Sequence, residues 1–339
     1  MKKKRDYWIA PMLLLVLFVA ILIASAIGVV YVPIADVVKI ILFKIGDLST
    51  IDIPQYLILT VWKLRLPRII MSLLVGMSLA ISGAVFQSVF RNPICDPYIL
   101  GISSGASLGA VIAFVLGWDV FLFGITIPAL ITALLSLFFI IGIAQFNKNR
   151  GNNTLLLAGI ALNFLMSAVV TILIVLNQQE MSKIIFWTMG SFTSSSWLEI
   201  LFLLSIMFIS IFSLFYYEKD LNIMQLGNDA AKSLGVNTKK VTLMTLLFSS
   251  LLIATVVSMC GVIGFIGLII PHIVRLLFGN QNRKIFFYSI IFGAFFLLIA
   301  DTVARTIALP SELPVGSITA IAGAPFFVYL IYRRKNNNY

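Results

Sequence analysis

The sequence predicts an all-α membrane protein of about ten transmembrane helices in one domain over residues 1–339. Three observations predict it. Of the 339 residues 60% are hydrophobic and 11% charged, with a mean hydropathy of +1.07, whereas soluble domains carry about 25% charged residues. Apolar runs recur from end to end, with no long polar stretch to house a separate soluble module. The cations flank those runs instead of forming one basic face, so the net charge of +11 reads as a set of topology signals and not as a nucleic-acid surface.

The first apolar run, Tyr7 to Val32, follows Met1-Lys-Lys-Lys-Arg5. It is too long for the apolar core of a secretory signal, so it is read as a retained first span. Further spans are expected at 69–90, 98–117, 121–146, 155–176, 197–217, 241–261, 264–278, 285–304 and 314–332. Between the first two, Pro33 to Lys44 forms an amphipathic stretch suited to a membrane interface. The longest loop on the side of the two termini, 218–240, reads as two short helices broken at Gly227 and Gly235, since glycine readily ends helices.

Ten crossings put both termini on one side. The segments on that side then hold 17 of the 24 Lys and Arg residues, among them Lys2, Lys148, Lys219, Lys239, Arg283 and Arg333. By the positive-inside rule that side is the cytoplasm. The other side keeps Lys39, Lys44, Lys63, Arg65, Arg68, Lys183 and Arg305.

Three of those outer cations run against the bias at helix ends. Arg65 and Arg68 flank Pro67, and Arg305 lies four residues after Asp301. Singly they read as helix anchors or as an i, i+4 ion pair. Together they suggest a surface that recognises carboxylates, because the guanidinium fork suits them. In Arg91 to Gly109, two X-Pro steps precede Gly101, Gly105 and Gly109, a four-residue spacing that lets helices pack closely in lipid. Irregular backbone at such depth also suits a gate. Asn163, Ser167 and Thr171 recur every four residues, so they either wet one helix face or bond between helices. The single histidine, His272, is assigned a structural role, and Cys95 and Cys260 lack metal or disulfide spacing.

Absences narrow the function. There is no GxxxxGK[ST] phosphate loop, HExxH or GxSxG motif, and Asp301 is the single acid deep in an expected span. A secondary transporter driven by a carboxylate relay and a membrane-embedded enzyme are both disfavoured. No catalytic or metal-binding residue is assigned.

The motifs together resemble the FecCD-type permease family. Its pattern is carried by Arg65-Leu-Pro-Arg68, Ser82-Gly83, Asn92-Pro93, Asp96-Pro97 and Leu100-Gly-Ile-Ser-Ser-Gly105. It continues through Trp187-Thr-Met-Gly190, Ala231-Lys-Ser-Leu-Gly235, Gly264 to Arg275, Ala300 to Arg305 and Glu312-Leu-Pro-Val-Gly316. The match spans about residues 60 to 333, in order. The resemblance implies the permease subunit of a type II ABC importer for ferric siderophores, haem or cobalamin, working as a dimer with a second copy or a paralogue. It implies two ATPase subunits beneath, which would use the ATP and magnesium, no cofactor on this chain, and a substrate-binding protein docking outside on Arg65, Arg68 and Arg305. Coupling helices are implied at 220–236, with Leu226, Gly227, Ala231, Leu234 and Gly235. A cytoplasmic gate is implied at Asn92, Pro93 and Ile94 with Asn152 and Asn153, and the fifth span, bearing Asn163, Ser167 and Thr171, would line the pathway. Which chelate is carried, and whether the dimer is homo- or heteromeric, are not written in this chain.

Overall fold

The computed structural model describes residues 2–46, 53–146 and 152–336, and within them every regular element is a helix. Among the described residues seven helices are long and apolar enough to cross a membrane, and three shorter apolar helices, Ile102–Val115, Ile266–Phe278 and Val315–Tyr329, join them. The hydrophobic core is continuous through the middle of the bundle.

Helix α1, Lys2–Ala26, is followed by α2, Ile34–Gly46. The apolar run was expected to carry the first span to Val32, but the helix stops at Ala26. Gly28 follows, and a Cβ there would lie 2.8 Å from the Arg65 guanidinium, so the chain leaves the helix under that side chain. In α2, Asp36 in the first turn and Lys44 in the last complement the helix dipole. Its Val37 and Ile40 bury against Val32, Val61 and Leu66, which is the one-sided burial an amphipathic helix needs.

The second span begins earlier than position 69. Helix α3, Gln55–Leu59, runs through a π-helical stretch, Thr60–Arg65, into α4, Leu66–Val89. The cause is Pro67: a proline inside a helix lacks its N–H and presses on the carbonyl four residues back. The wider turn, in which the Leu66 N–H bonds to the Val61 carbonyl, relieves that crowding and keeps the helix going. Arg65 and Arg68 therefore sit within a continuous helix and not at its start.

Helix α4 is the axis of the bundle, and nearly all of it is buried. It packs on α14, Asn282–Ala304, where Gly76 and Gly293 face each other so closely that a Cβ on either would collide with the other's carbonyl. Gly83 lies against Gly267 of α13, Ile266–Phe278: a Cβ on Gly83 would collide with the Gly267 carbonyl, and one on Gly267 would press on Pro97 and the Leu79 carbonyl. Helix α5, Ile102–Val115, lies on α6, Thr126–Phe146, through Gly105 and Gly109: a Cβ on Gly105 would lie 2.9 Å from the Thr132 carbonyl. Small residues here let backbones touch, which is how helices gain contact in lipid.

Helix α7, Asn152–Leu176, leads to a short α8, Met181–Thr188, which lies between two of the expected spans. Its eight residues are too few to produce a readable apolar stripe. Helix α9, Trp197–Tyr216, opens on a reciprocal cap between Ser196 and Glu199. Two short helices follow, α10, Glu218–Met224, and α11, Asn228–Ser233, then α12, Thr238–Cys260, and finally α15, Val315–Asn336.

Candidate functional site

Four places in this bundle gather the residues singled out above. The first is a cavity of about 550 Å³ between α5 and α7. Asn163, Ser167 and Thr171 all line it, one face of α7. Both alternatives for this face hold in part. The Asn163 Oδ1 accepts from the Ser104 hydroxyl at 2.6 Å, a bond between helices, whereas Ser167 and Thr171 are exposed. The opposite wall supplies Ser103, Ser104 and Ser107, and Thr188 adds a further hydroxyl. Sequence reasoning missed these four, although Ser103 and Ser107 carry the same four-residue spacing that marked α7. One carboxylate, Asp96, also borders the cavity, and its Oδ1 accepts from the Tyr98 N–H at 2.8 Å.

The segment entering the cavity wall is held by turn chemistry. The Asn92 Oδ1 accepts from the Ile94 N–H at 3.1 Å across Pro93, and the Cys95 N–H returns to the Asn92 carbonyl. Gly101 takes φ +70°, which lets α5 start directly after the short helix at Pro97–Leu100. Tyr98 then donates to the Ile263 carbonyl at 2.9 Å, tying this turn to the one before α13. Asn92 and Ile94 are exposed. Asn152 and Asn153 open α7, and their side chains lie outside the described residues.

A second recess, about 300 Å³, sits where α1 ends. Arg65, Arg68 and Arg305 all line it, so three arginines separated by up to 240 positions meet there. All three are buried, with exposures of 7%, 8% and 5%. Each guanidinium is already engaged. Arg65 donates to the Ser25 and Ala26 carbonyls at 2.9 and 3.2 Å and also to that of Val30, and Arg305 donates to that of Ala24. The last carbonyls of a helix have no partner within it, so these two arginines cap α1. Arg68 instead bonds Asp301 at 2.8 Å and Glu312 at 2.6 Å. The Arg305–Asp301 pair along α14 is longer, at 3.9 Å. Glu312 is the recess residue that sequence reasoning left without a role, since its partner lies 244 positions away.

The third place is the pair α10 and α11. Gly227 and Gly235 take φ of +121° and +84°, a backbone that glycine adopts freely, and neither has a neighbour where a Cβ would stand. Ala231 is fully buried, while Leu226 and Leu234 project at 72% and 62% exposure. Two large exposed leucines on a short helical foot make a surface suited to a protein contact. The fourth place, a polar pocket beside this foot, is described below.

The comparisons with known proteins agree on one family. The sequence profile of the FecCD transport family matches residues 14–333. The cobalamin import system permease protein BtuC of Halobacterium salinarum is 41% identical over 283 residues, covering 84% of this chain and 76% of that protein. The hemin transport system permease protein HmuU of Yersinia pestis is 38% identical over 282 residues, covering 81% and 84%. A solved structure of an ABC transporter assigned to the metal-chelate type, in an inward-facing conformation, superposes with a TM-score of 0.83 at 31% identity over 96% of this chain and 99% of that one. With a bundle of apolar helices, a partly polar cavity between two of them and a two-helix foot, the chain belongs to the FecCD transport family and is the membrane permease of an ATP-binding-cassette importer.

Proposed function

We propose that this permease moves an iron chelate, a ferric siderophore or the related haem and cobalamin, into the bacterial cytoplasm by ATP-driven alternating access. The observation that carries the reading is the cavity between α5 and α7, whose wall sets Ser and Thr hydroxyls and the Asn163 amide among apolar side chains such as Ile99, Val170 and Ile174. Such polar groups solvate a large polar cargo without holding it, which suits a pathway whose cargo is selected elsewhere. Haem and cobalamin stand in the names of the relatives above, and iron chelatin in that of a Helicobacter pylori relative at 39% identity.

The partners follow from the family. A second permease copy or a paralogue completes the pathway, and the whole of 1–339 acts as one permease domain. Two ATPase subunits sit on α10 and α11, taking Leu226 and Leu234 as contacts, with Ala231 buried behind and Gly227 and Gly235 setting the turns. ATP and magnesium belong to those subunits. Both termini face the cytoplasm, and Asn92, Pro93 and Ile94 with Asn152 and Asn153 close the inner end. An external binding protein presents carboxylates to the recess of Arg65, Arg68 and Arg305, competing there with Glu312. The test is reconstitution in liposomes with the neighbouring ATPase and binding protein. Uptake of a radiolabelled chelate only when both partners and ATP are present supports the reading. Uptake by the permease alone, or ATP hydrolysis by it, overturns it.

A further inference from the structure

At the end of the bundle that carries α10 and α11, a pocket of about 250 Å³ is lined by Gln87, Arg91, Gln225, Arg275 and Asn280, with Ser88 and Pro93. Its side chains are almost all polar and its two charges are both positive. The buried arginines at the other end of the molecule each have oxygen acceptors at close range, as described above. Arg275 does not. Its one described hydrogen bond goes to the neutral Gln87 Oε1 at 3.4 Å; its Nε, like that of Arg305, is buried without an acceptor, but Arg305 also has a carbonyl and the Asp301 carboxylate beside it. The Gln87 amide nitrogen, itself a donor, bonds the Leu268 carbonyl at 3.0 Å and so fixes which end of the amide faces Arg275. Beside the pocket, Asn282 is fully buried and its Nδ2 also lacks an acceptor, while its Oδ1 receives Ser88 and Gln225.

The local chemistry is thus an excess of donors. Arg275 is half-buried; a guanidinium partly withdrawn from water without a counter-anion carries a cost, and a buried donor without an acceptor adds to it. An acceptor-rich anion in the pocket supplies the counter-charge that Arg275 lacks. Among the described residues no carboxylate lines the pocket. Arg91, the second cation, holds φ +50°, a backbone rare for a residue with a side chain, and bonds the Asn228 Oδ1 at the start of α11.

We propose that this pocket binds a phosphate group, with Arg275 as its main ligand and Arg91 as the second. The two guanidiniums and the Asn280 amide offer donors from separate helices and loops, which suits a tetrahedral group with oxygens on every side better than a planar one. Because Arg91 also holds Asn228, an occupied pocket competes for the contact that anchors α11. The group is either the headgroup phosphate of an anionic lipid or a soluble phosphate. Leu276 and Leu277, exposed next to Arg275, give the pocket an apolar flank on which acyl chains can lie.

The experiment uses the purified full-length permease in two arms. In the first, inorganic phosphate is titrated against chloride at matched ionic strength and the melting temperature is read. In the second, nanodiscs of phosphatidylglycerol or phosphatidylcholine are used, and lipid retained by the protein is counted by native mass spectrometry. Saturable stabilisation by phosphate, or selective retention of phosphatidylglycerol, is the expected result, and which arm responds identifies the source. Arg275→Gln abolishes the response, Arg91→Gln weakens binding about tenfold, the ~1.4 kcal/mol of one charge-assisted bond, and Arg283→Gln leaves it unchanged. Should Arg275→Gln fail to fold, the Arg91 variant decides. Wild-type protein indifferent in both arms, or an Arg91→Gln protein that binds as wild type, overturns the proposal. So does loss of the ATPase subunits from Arg275→Gln without any phosphate response, because the missing acceptor is then a partner's carboxylate.

Discussion

Arg68 on α4 places its Nε 2.8 Å from the Oδ1 of Asp301 on α14, joining by charge the two helices that Gly76 and Gly293 join by contact. Asp301 is fully buried, so its charge is tolerable only beside that guanidinium and Arg305. Removing one partner strands the other, at a cost of about 3–5 kcal/mol. Asp301→Ala should therefore lower the melting temperature of the detergent-solubilised protein sharply. The double variant Arg68→Met with Asp301→Leu should recover most of the loss, and a double variant as unstable as the single one would show that the pair does more than neutralise itself.

The Gly76–Gly293 contact makes its own prediction. Gly76→Leu needs space that the α14 backbone occupies, and overpacking of this kind costs about 1–3 kcal/mol or more. Gly142, with open space around its Cβ position, is the internal control. Gly76→Leu should reduce expression and thermal stability while Gly142→Leu changes neither.

For the foot, Gly235→Val meets no neighbour but must hold φ +84°, which costs about 1–2 kcal/mol for a residue with a side chain. The segment is exposed, so overall stability should fall little. Transport coupled to ATP hydrolysis should fall several-fold, with the permease still dimeric. Uptake at the wild-type rate would remove the foot from the coupling path.

Along the cavity, Ser167→Trp should block uptake while assembly with the ATPase continues. Ser167 is exposed on the lining face, so the added ring fills the passage and disturbs no packed core. Chelate uptake at the wild-type level in this variant would show that cargo passes elsewhere.

At the recess, Arg65→Glu and Arg305→Glu should slow association of the binding protein and flatten its dependence on salt, since charge complementarity acts mainly on the association rate. Both also lose a cap on α1, so melting temperature has to be read alongside. Unchanged association with lowered stability would leave them as caps alone.

The sequence made the architecture legible because lipid imposes it: each apolar run of sufficient length corresponds to a helix, and Gly227 and Gly235 mark the breaks they were expected to mark. The gathering of Arg65, Arg68 and Arg305 was legible only as three exceptions to a charge bias. Their acceptors were not legible, because a backbone carbonyl such as that of Ser25 has no signature in a one-dimensional text. Glu312 and Arg68 meet through folding alone. Ser103, Ser104 and Ser107 were hidden for another reason: the glycines beside them explain α5 as a packing helix, and that explanation conceals the opposite face. The π turn could not be read either, since proline in an apolar run signals a helix start as readily as a widened turn.

That π turn sets a phase. Thr60–Arg65 holds one residue more than an α-ladder would use, so everything before it is rotated by about 100° relative to everything after. The offset lets Leu57 and Ile58 face the cluster of Val37 and Ile40 while α4 presents its glycines to α14. It also lies where Trp62 meets Trp197, whose indole donates to the Trp62 carbonyl at 3.1 Å. A single-residue deletion between 60 and 65 would leave composition and hydropathy nearly untouched and still turn the whole entry segment away from α2. In this stretch the count of residues carries information that their identities do not.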